Sequence, residues 1–81
     1  MNQPVTLALS DLGKGKHGMV SAIDFEPPVQ QRLRHLGIQL GEQVTVIRSS
    51  VANSPLMVRI NGAYLMMRRQ DAQHIQVAIA S

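Results

Sequence analysis

Between Pro27 and Ile47 the chain reads PPVQQRLRHLGIQLGEQVTVI: a helix, its stop and a strand in order, which limits what the rest can become. Pro27 or Pro28 suits the first helical position, where a missing N–H is an orphan in any case. Val29, Leu33 and Leu36 recur at i, i+4 and i+7 and so share one apolar face, leaving Gln30, Gln31, Arg32, Arg34 and His35 outward. Gly37 follows the last apolar helical residue, as a left-handed C-terminal cap requires, and Ile38 stands where a Schellman motif sets its apolar contact against Leu33. The pattern predicts one short helix over about 28–36. Gly41-Glu42 then turns into Gln43 to Ile47, where Val44 and Val46, with β-branched Thr45 and Ile47, favour a strand buried on at least one face. A helix this small has to feed a sheet.

The flanking segments supply that sheet. Residues 1–4 read as a flexible end, and residues 5–79 as one domain. Val5, Leu7 and Leu9 alternate with Thr6 and Ala8 as a first strand, and Leu12 closes the corner after it. Gly13 to Gly18, GKGKHG, forms a glycine-rich turn before a second strand from Met19 to Phe25 with Val20 and Ile23 inward, so a hairpin or a broad loop precedes the helix. Ser49 to Pro55, SSVANSP, reads as an exposed loop. Asn61-Gly62 between the alternating runs Leu56 to Ile60 and Ala63 to Met67 signals a type I′ hairpin. Gln70-Asp71 caps a helical turn over about 70–74, and Ile75, Val77 and Ile79 make the last strand. Connections this short force antiparallel pairing, because a parallel crossover needs a dozen residues or more. The expectation is a mainly β protein, an SH3-like barrel of five to six antiparallel strands whose closure removes exposed edges.

Composition narrows the function classes. The 81 residues contain no Cys, which excludes a disulfide scaffold or thiolate metal site and fits a reducing compartment. The first residues lack the basic start and long apolar run of a secretory signal, and no stretch approaches the roughly 20 apolar residues of a spanning helix, so direct membrane insertion is not expected. With one Phe, one Tyr and no Trp, the chain can supply neither the aromatic groove of a proline-peptide binder nor stacking platforms for single-stranded nucleic acid. A formal charge of +3 favours an acidic partner but is modest for a nucleic-acid binder, and no specific nucleic-acid partner is expected.

Motifs that invite chemistry fail on context. Gly13-Lys14-Gly15-Lys16-His17-Gly18 matches G-x-G-x-x-G, yet a strand follows it where a dinucleotide site needs a helix. His17, His35 and His74 fall in a loop, on the helix and near the last strand, without ligand spacing, and no metal site or cofactor is assigned to them. Met19, Met57, Met66 and Met67 suit core filling or adaptable contact surface better than thioether ligation. No Ser lies in G-x-S-x-G and no carboxylate pair has acid and base roles, so no catalytic residue is assigned and an enzyme is not expected.

Arg32-Leu33-x-x-Leu36-Gly37-Ile38-x-x-Gly41-x-x-Val44-x-Val46, then Pro55, Gly62, and Met67-Arg68-Arg69-x-x-Ala72-x-x-Ile75-x-Val77, closely resembles the ferrous iron transport protein A family, with Leu9-Ser10-Asp11-Leu12, Gly18 and Val20 fitting the same pattern. The resemblance runs over about residues 5–79 and implies a small cytoplasmic SH3-like barrel, at the inner face of the membrane through its partner. It implies a stand-alone accessory of the membrane ferrous iron transporter, ferrous iron transport protein B, which carries a GTPase domain. The same module ends some iron- and manganese-dependent repressors, so a regulatory module bound to a transcriptional regulator is the alternative. Iron linkage keeps transition-metal binding in view, and self-association stays open. The loop SSVANSP and Met67, where the family usually has leucine, depart from the pattern; the second is a volume-conserving exchange worth less than about 1.5 kcal/mol. The candidate partner-binding residues are Lys14, Lys16, Gln31, Arg32, Arg34, His35, Arg68 and Arg69.

Overall fold

The computed structural model describes residues 5–49 and 55–79. The expectations for residues 1–4 and for most of the Ser49–Pro55 loop lie outside the described residues. In chain order the elements are β1 (Val5–Ala8), a 3-10 turn (Leu9–Asp11), β2 (His17–Ile23), α1 (Pro27–His35), β3 (Gln43–Ser49), β4 (Leu56–Ile60), β5 (Ala63–Met67), α2 (Arg69–Ala72) and β6 (Ile75–Ile79). The strands form one sheet in the order β1-β6-β2-β3-β4-β5, antiparallel at each pairing.

One face of this sheet carries nearly the whole core. Val20 of β2, Val44 and Val46 of β3, Leu56, Val58 and Ile60 of β4, and Ile75 and Val77 of β6 are all buried in one cluster. A sheet whose strands converge on one cluster has to curl around it. Two irregularities supply the bend: the register slips between Val20 and Ala22 opposite β6, and between Val46 and Arg48 opposite β4. Each extra residue kinks its strand and increases the local twist. The free edges β1 and β5 are not joined by a ladder among the described residues; the turn at Leu9–Asp11 and α2 meet across that gap instead.

Three sequence expectations change at the level of local structure, and one open choice is settled. Leu9 does not continue β1 but starts the 3-10 turn, still buried. Of the hairpin and the broad loop, the structure has the loop: β6 lies between β1 and β2 and takes both ladders. β2 begins at His17, so the end of the glycine-rich stretch is strand, and it stops before Phe25. Asp71 makes no capping hydrogen bond; it sits in the first turn of α2 and pairs with the Arg68 guanidinium at 3.6 Å.

The stop of α1 forms as the residues dictate. The Gly37 N–H donates to the Arg34 carbonyl at 3.0 Å and the Ile38 N–H to the Leu33 carbonyl at 2.9 Å, the two bonds of a Schellman motif. Gly37 has φ +94, and a Cβ there would lie 3.3 Å from the Asn61 Cβ. Gly37→Ala is therefore expected to cost about 1–2 kcal/mol, from the left-handed backbone alone. Thermal unfolding should record a fall in Tm on the order of 5–15 °C. The Asn61-Gly62 hairpin also forms as expected, with φ 51 and φ 77 at its two corner residues.

Candidate functional site

The helix face that the sequence marks as apolar does not vanish into the core. None of the residues of α1 is buried: Val29 and Leu33 are half-buried and Leu36 is 48% exposed. These three, with Arg32, stand at i, i+3, i+4 and i+7 and form one wall of a cleft of about 470 Å³. Leu65, Met66 and Met67 of β5 form the opposite wall, and Phe25, Ile38 and Ile75 lie beneath. Three consecutive strand residues point to alternate faces, so a cleft lined by all three follows the strand's edge.

Local chemistry holds the helix in this leaning position. The half-buried Gln30 side chain donates to the Ile23 carbonyl at 3.2 Å and to the Phe25 carbonyl at 2.7 Å, tying the first turn of α1 to the end of β2. Gln30 is thus turned inward, contrary to its expected outward position. At the other end the Schellman motif anchors Ile38 in the core. Between these two points the helix is free to keep a gap from β5.

The titratable side chains lining the cleft are Arg32, Arg68 and Asp71, and Asp71 is already paired with Arg68. The cleft therefore offers apolar surface and a net positive rim, suited to holding another chain. Elsewhere, His74 Nδ1 lies 4.0 Å from Asp24 Oδ2, and its ring is 5.2 Å from that of Phe25. Among the described residues no three His, Asp or Glu side chains converge as metal ligands would.

The expected partner-binding residues separate into distinct surfaces. Arg32 and Arg68 both line the cleft. Gln31 and His35 are exposed on α1, and Arg34 lines a smaller depression with Gln30, Ile38 and Leu40. Lys14 is exposed and Lys16 borders a separate hollow beside His17, Met19 and Ile79, so the structure does not join these lysines to the arginines. Arg69 turns inward: its Nη1 donates to the Ser10 carbonyl at 3.3 Å and its Nη2 to the Ser49 hydroxyl at 3.2 Å. Leu65 and Met66 are not among the candidate partner-binding residues, although Met66 fits the adaptable contact surface expected of the methionines. Their signal was present in AYLMM, a strand with no charge on either face.

A six-stranded antiparallel sheet curled on one core, with a short helix leaning over its open edge, is an SH3-like barrel. The chain belongs to the FeoA domain family, whose model matches residues 7–79. The solution structure of a FeoA protein from Chlorobium tepidum is 37% identical, superposes with a TM-score of 0.82, and is matched over 90% of this chain and 70% of its own. The crystal structure of Stenotrophomonas maltophilia FeoA complexed with zinc, described as an SH3 domain protein, is 25% identical with a TM-score of 0.71, over 93% and 89% of the two chains. A Porphyromonas gingivalis Fe(2+) transport protein A/Fe(2+) transporter FeoB fusion protein is 25% identical over 75 residues, 93% of this chain. The chain spans 9% of that relative's length. Among the described residues no helix is long and apolar enough to cross a membrane.

Proposed function

We propose that this protein is a non-catalytic cytoplasmic adaptor that docks on the membrane ferrous iron transporter and modulates uptake. The observation that supports the reading most directly is the Porphyromonas gingivalis relative, in which the matching segment and a transporter named FeoB share one polypeptide. Fusion fixes two modules at high effective concentration, an arrangement that suits partners working in contact. The open cleft between α1 and β5, with Arg32 and Arg68 at its rim, provides a surface for such contact. Gln31, Arg34 and His35 extend that surface along α1, while exposed Lys14 and Lys16, the latter at a separate hollow, would steer an acidic partner.

The deciding experiment is co-purification with the transporter from membranes, paired with radiolabelled iron uptake in cells lacking this chain. Absence of association together with unchanged uptake would sink the reading. The double reversal Arg32→Glu/Arg34→Glu is expected to weaken association about ten-fold at low salt and to flatten its salt dependence, because charges near an interface steer and hold an acidic surface. Both side chains belong to exposed residues, so folding stability should fall by only about 1–2 kcal/mol, mainly from replacing two cations with acids at a helix C-terminus. Pull-down titrations at two ionic strengths, with a denaturation curve as control, measure both effects.

A further inference from the structure

We infer that the free edge of β5 is a strand-addition site, taking an extended, apolar segment with acidic ends from a partner protein into the cleft beside α1. This deepens the adaptor reading and rests on it for the partner's identity.

The hairpin register fixes which backbone groups face outward. Ile60 and Ala63 flank a two-residue type I′ turn and so exchange hydrogen bonds, as do Val58 with Leu65 and Leu56 with Met67, every second pair along the ladder. The intervening pairs, Arg59 with Tyr64 and Met57 with Met66, exchange none. The N–H and C=O groups of Tyr64 and Met66 therefore point away from β4, and no other described strand pairs with β5. Both side chains on this edge are 61% exposed.

Proteins blunt such edges with charged residues, prolines, bulges or a covering helix. β5 has no charged residue and no proline, its ladder with β4 runs through five unbroken pairs, and α1 stands off across the cleft. A helix docked in the cleft would leave these open groups unanswered, since its own backbone groups are already paired. An extended segment answers them with up to four backbone hydrogen bonds and sets alternate side chains against Leu33, Leu36 and Leu65. An edge strand beside a helix receives peptides in this way in other folds.

Charge selects the occupant. The rim carries Arg32 and Arg68 against one carboxylate, Asp71, and the whole chain has a formal charge of +3. A second copy would bring a second cationic rim against the first. A segment with carboxylates at its ends complements it.

The test uses the whole folded chain and a capped heptapeptide with glutamate at each end and alternating valine and threonine between, followed by amide exchange and chemical-shift titration. Slowed exchange at the Tyr64 and Met66 amides, with shifts at Leu36, is the expected result, and a lysine-ended counterpart should bind at least ten-fold more weakly. Met66→Pro removes an outward donor without touching the β4 ladder and should weaken binding at least ten-fold. If that variant does not fold, Leu36→Glu, a change at a half-exposed wall residue, should show the same loss. Equal binding of the two peptides, undiminished binding by either folded variant, shifts confined to another surface, or protection of the same amides by self-association without peptide would each overturn the inference. Transporter co-purification that survives Met66→Pro or Leu36→Glu leaves the adaptor reading standing and removes this docking mode. Peptide binding at β5 without transporter association does the reverse.

Discussion

Arg69→Ala is expected to cost about 2–4 kcal/mol, whereas Arg68→Ala, one residue away, should change stability by no more than about 0.5 kcal/mol. The guanidinium of Arg69 reaches from α2 to the Ser10 carbonyl beside the 3-10 turn and to the Ser49 hydroxyl at the end of β3. Its Nε is fully enclosed. These elements converge where no ladder joins β1 and β5 among the described residues, so this side chain adds hydrogen bonds to a seam otherwise closed by packing of the 3-10 turn against α2. Hydrogen bonds from a charged group contribute about 1.5–3 kcal/mol each, and Ser10 loses its charged donor when the side chain is cut. Arg68, by contrast, has a 74% exposed side chain, and its pairing with Asp71 is screened by water. Arg69→Lys should recover only part of the loss, since an ammonium lacks the planar fork that serves two acceptors in different directions. Urea denaturation of the three variants provides the measurement. If Arg69→Ala unfolds at the wild-type midpoint, the seam is held by packing alone.

The contrast between the two arginines marks where the sequence is legible. Alternation along β4 and β5 gives each strand an inner and an outer face, and the structure sets Leu56, Val58, Ile60 and Met67 inward and Met57, Arg59, Tyr64 and Met66 outward, because a strand has a period of two and a hairpin turn fixes its phase. Gly37 and Ile38 announced the helix stop for an equally local reason: a left-handed residue followed by an apolar one is encoded in adjacent positions. Arg69 could have been found by carrying the β5 alternation two residues further, since Met67 is inward and Arg68 outward. What lay beyond local pattern was the position of β6 between β1 and β2, a pairing across more than fifty residues that no turn announces. The cleft was hidden for a related reason. Val29, Leu33 and Leu36 have the spacing of a core-facing helix, and only the distance at which Gln30 and Ile38 pin α1 leaves that face open.

Two leucine truncations separate the residues that build the barrel from those that face a partner. Leu56→Ala is expected to cost about 2–5 kcal/mol, because Leu56 is 0% exposed, lies between Ser49 of β3 and Met67 of β5 in the ladder, and leaves a cavity its neighbours cannot fill. A chain of this length has a total stability of roughly 4–12 kcal/mol, so the loss is a large fraction of the whole. Leu36→Ala removes the same atoms from a residue that is 48% exposed, and the expected cost falls below about 1 kcal/mol. The order reverses for association. Leu36 lines the cleft, and truncating it removes apolar surface that a docked chain would cover, whereas Leu56 touches no partner and weakens binding only through the unfolded fraction. Measured at a temperature where both variants are more than nine-tenths folded, Leu56→Ala should bind the transporter as the wild type does, and Leu36→Ala should not. Equal effects of the two truncations on binding would mean that the cleft is a packing defect of the helix, with recognition placed elsewhere on the barrel. Loss of binding with Leu36→Ala alone would tie recognition to an apolar helix face that folding leaves uncovered.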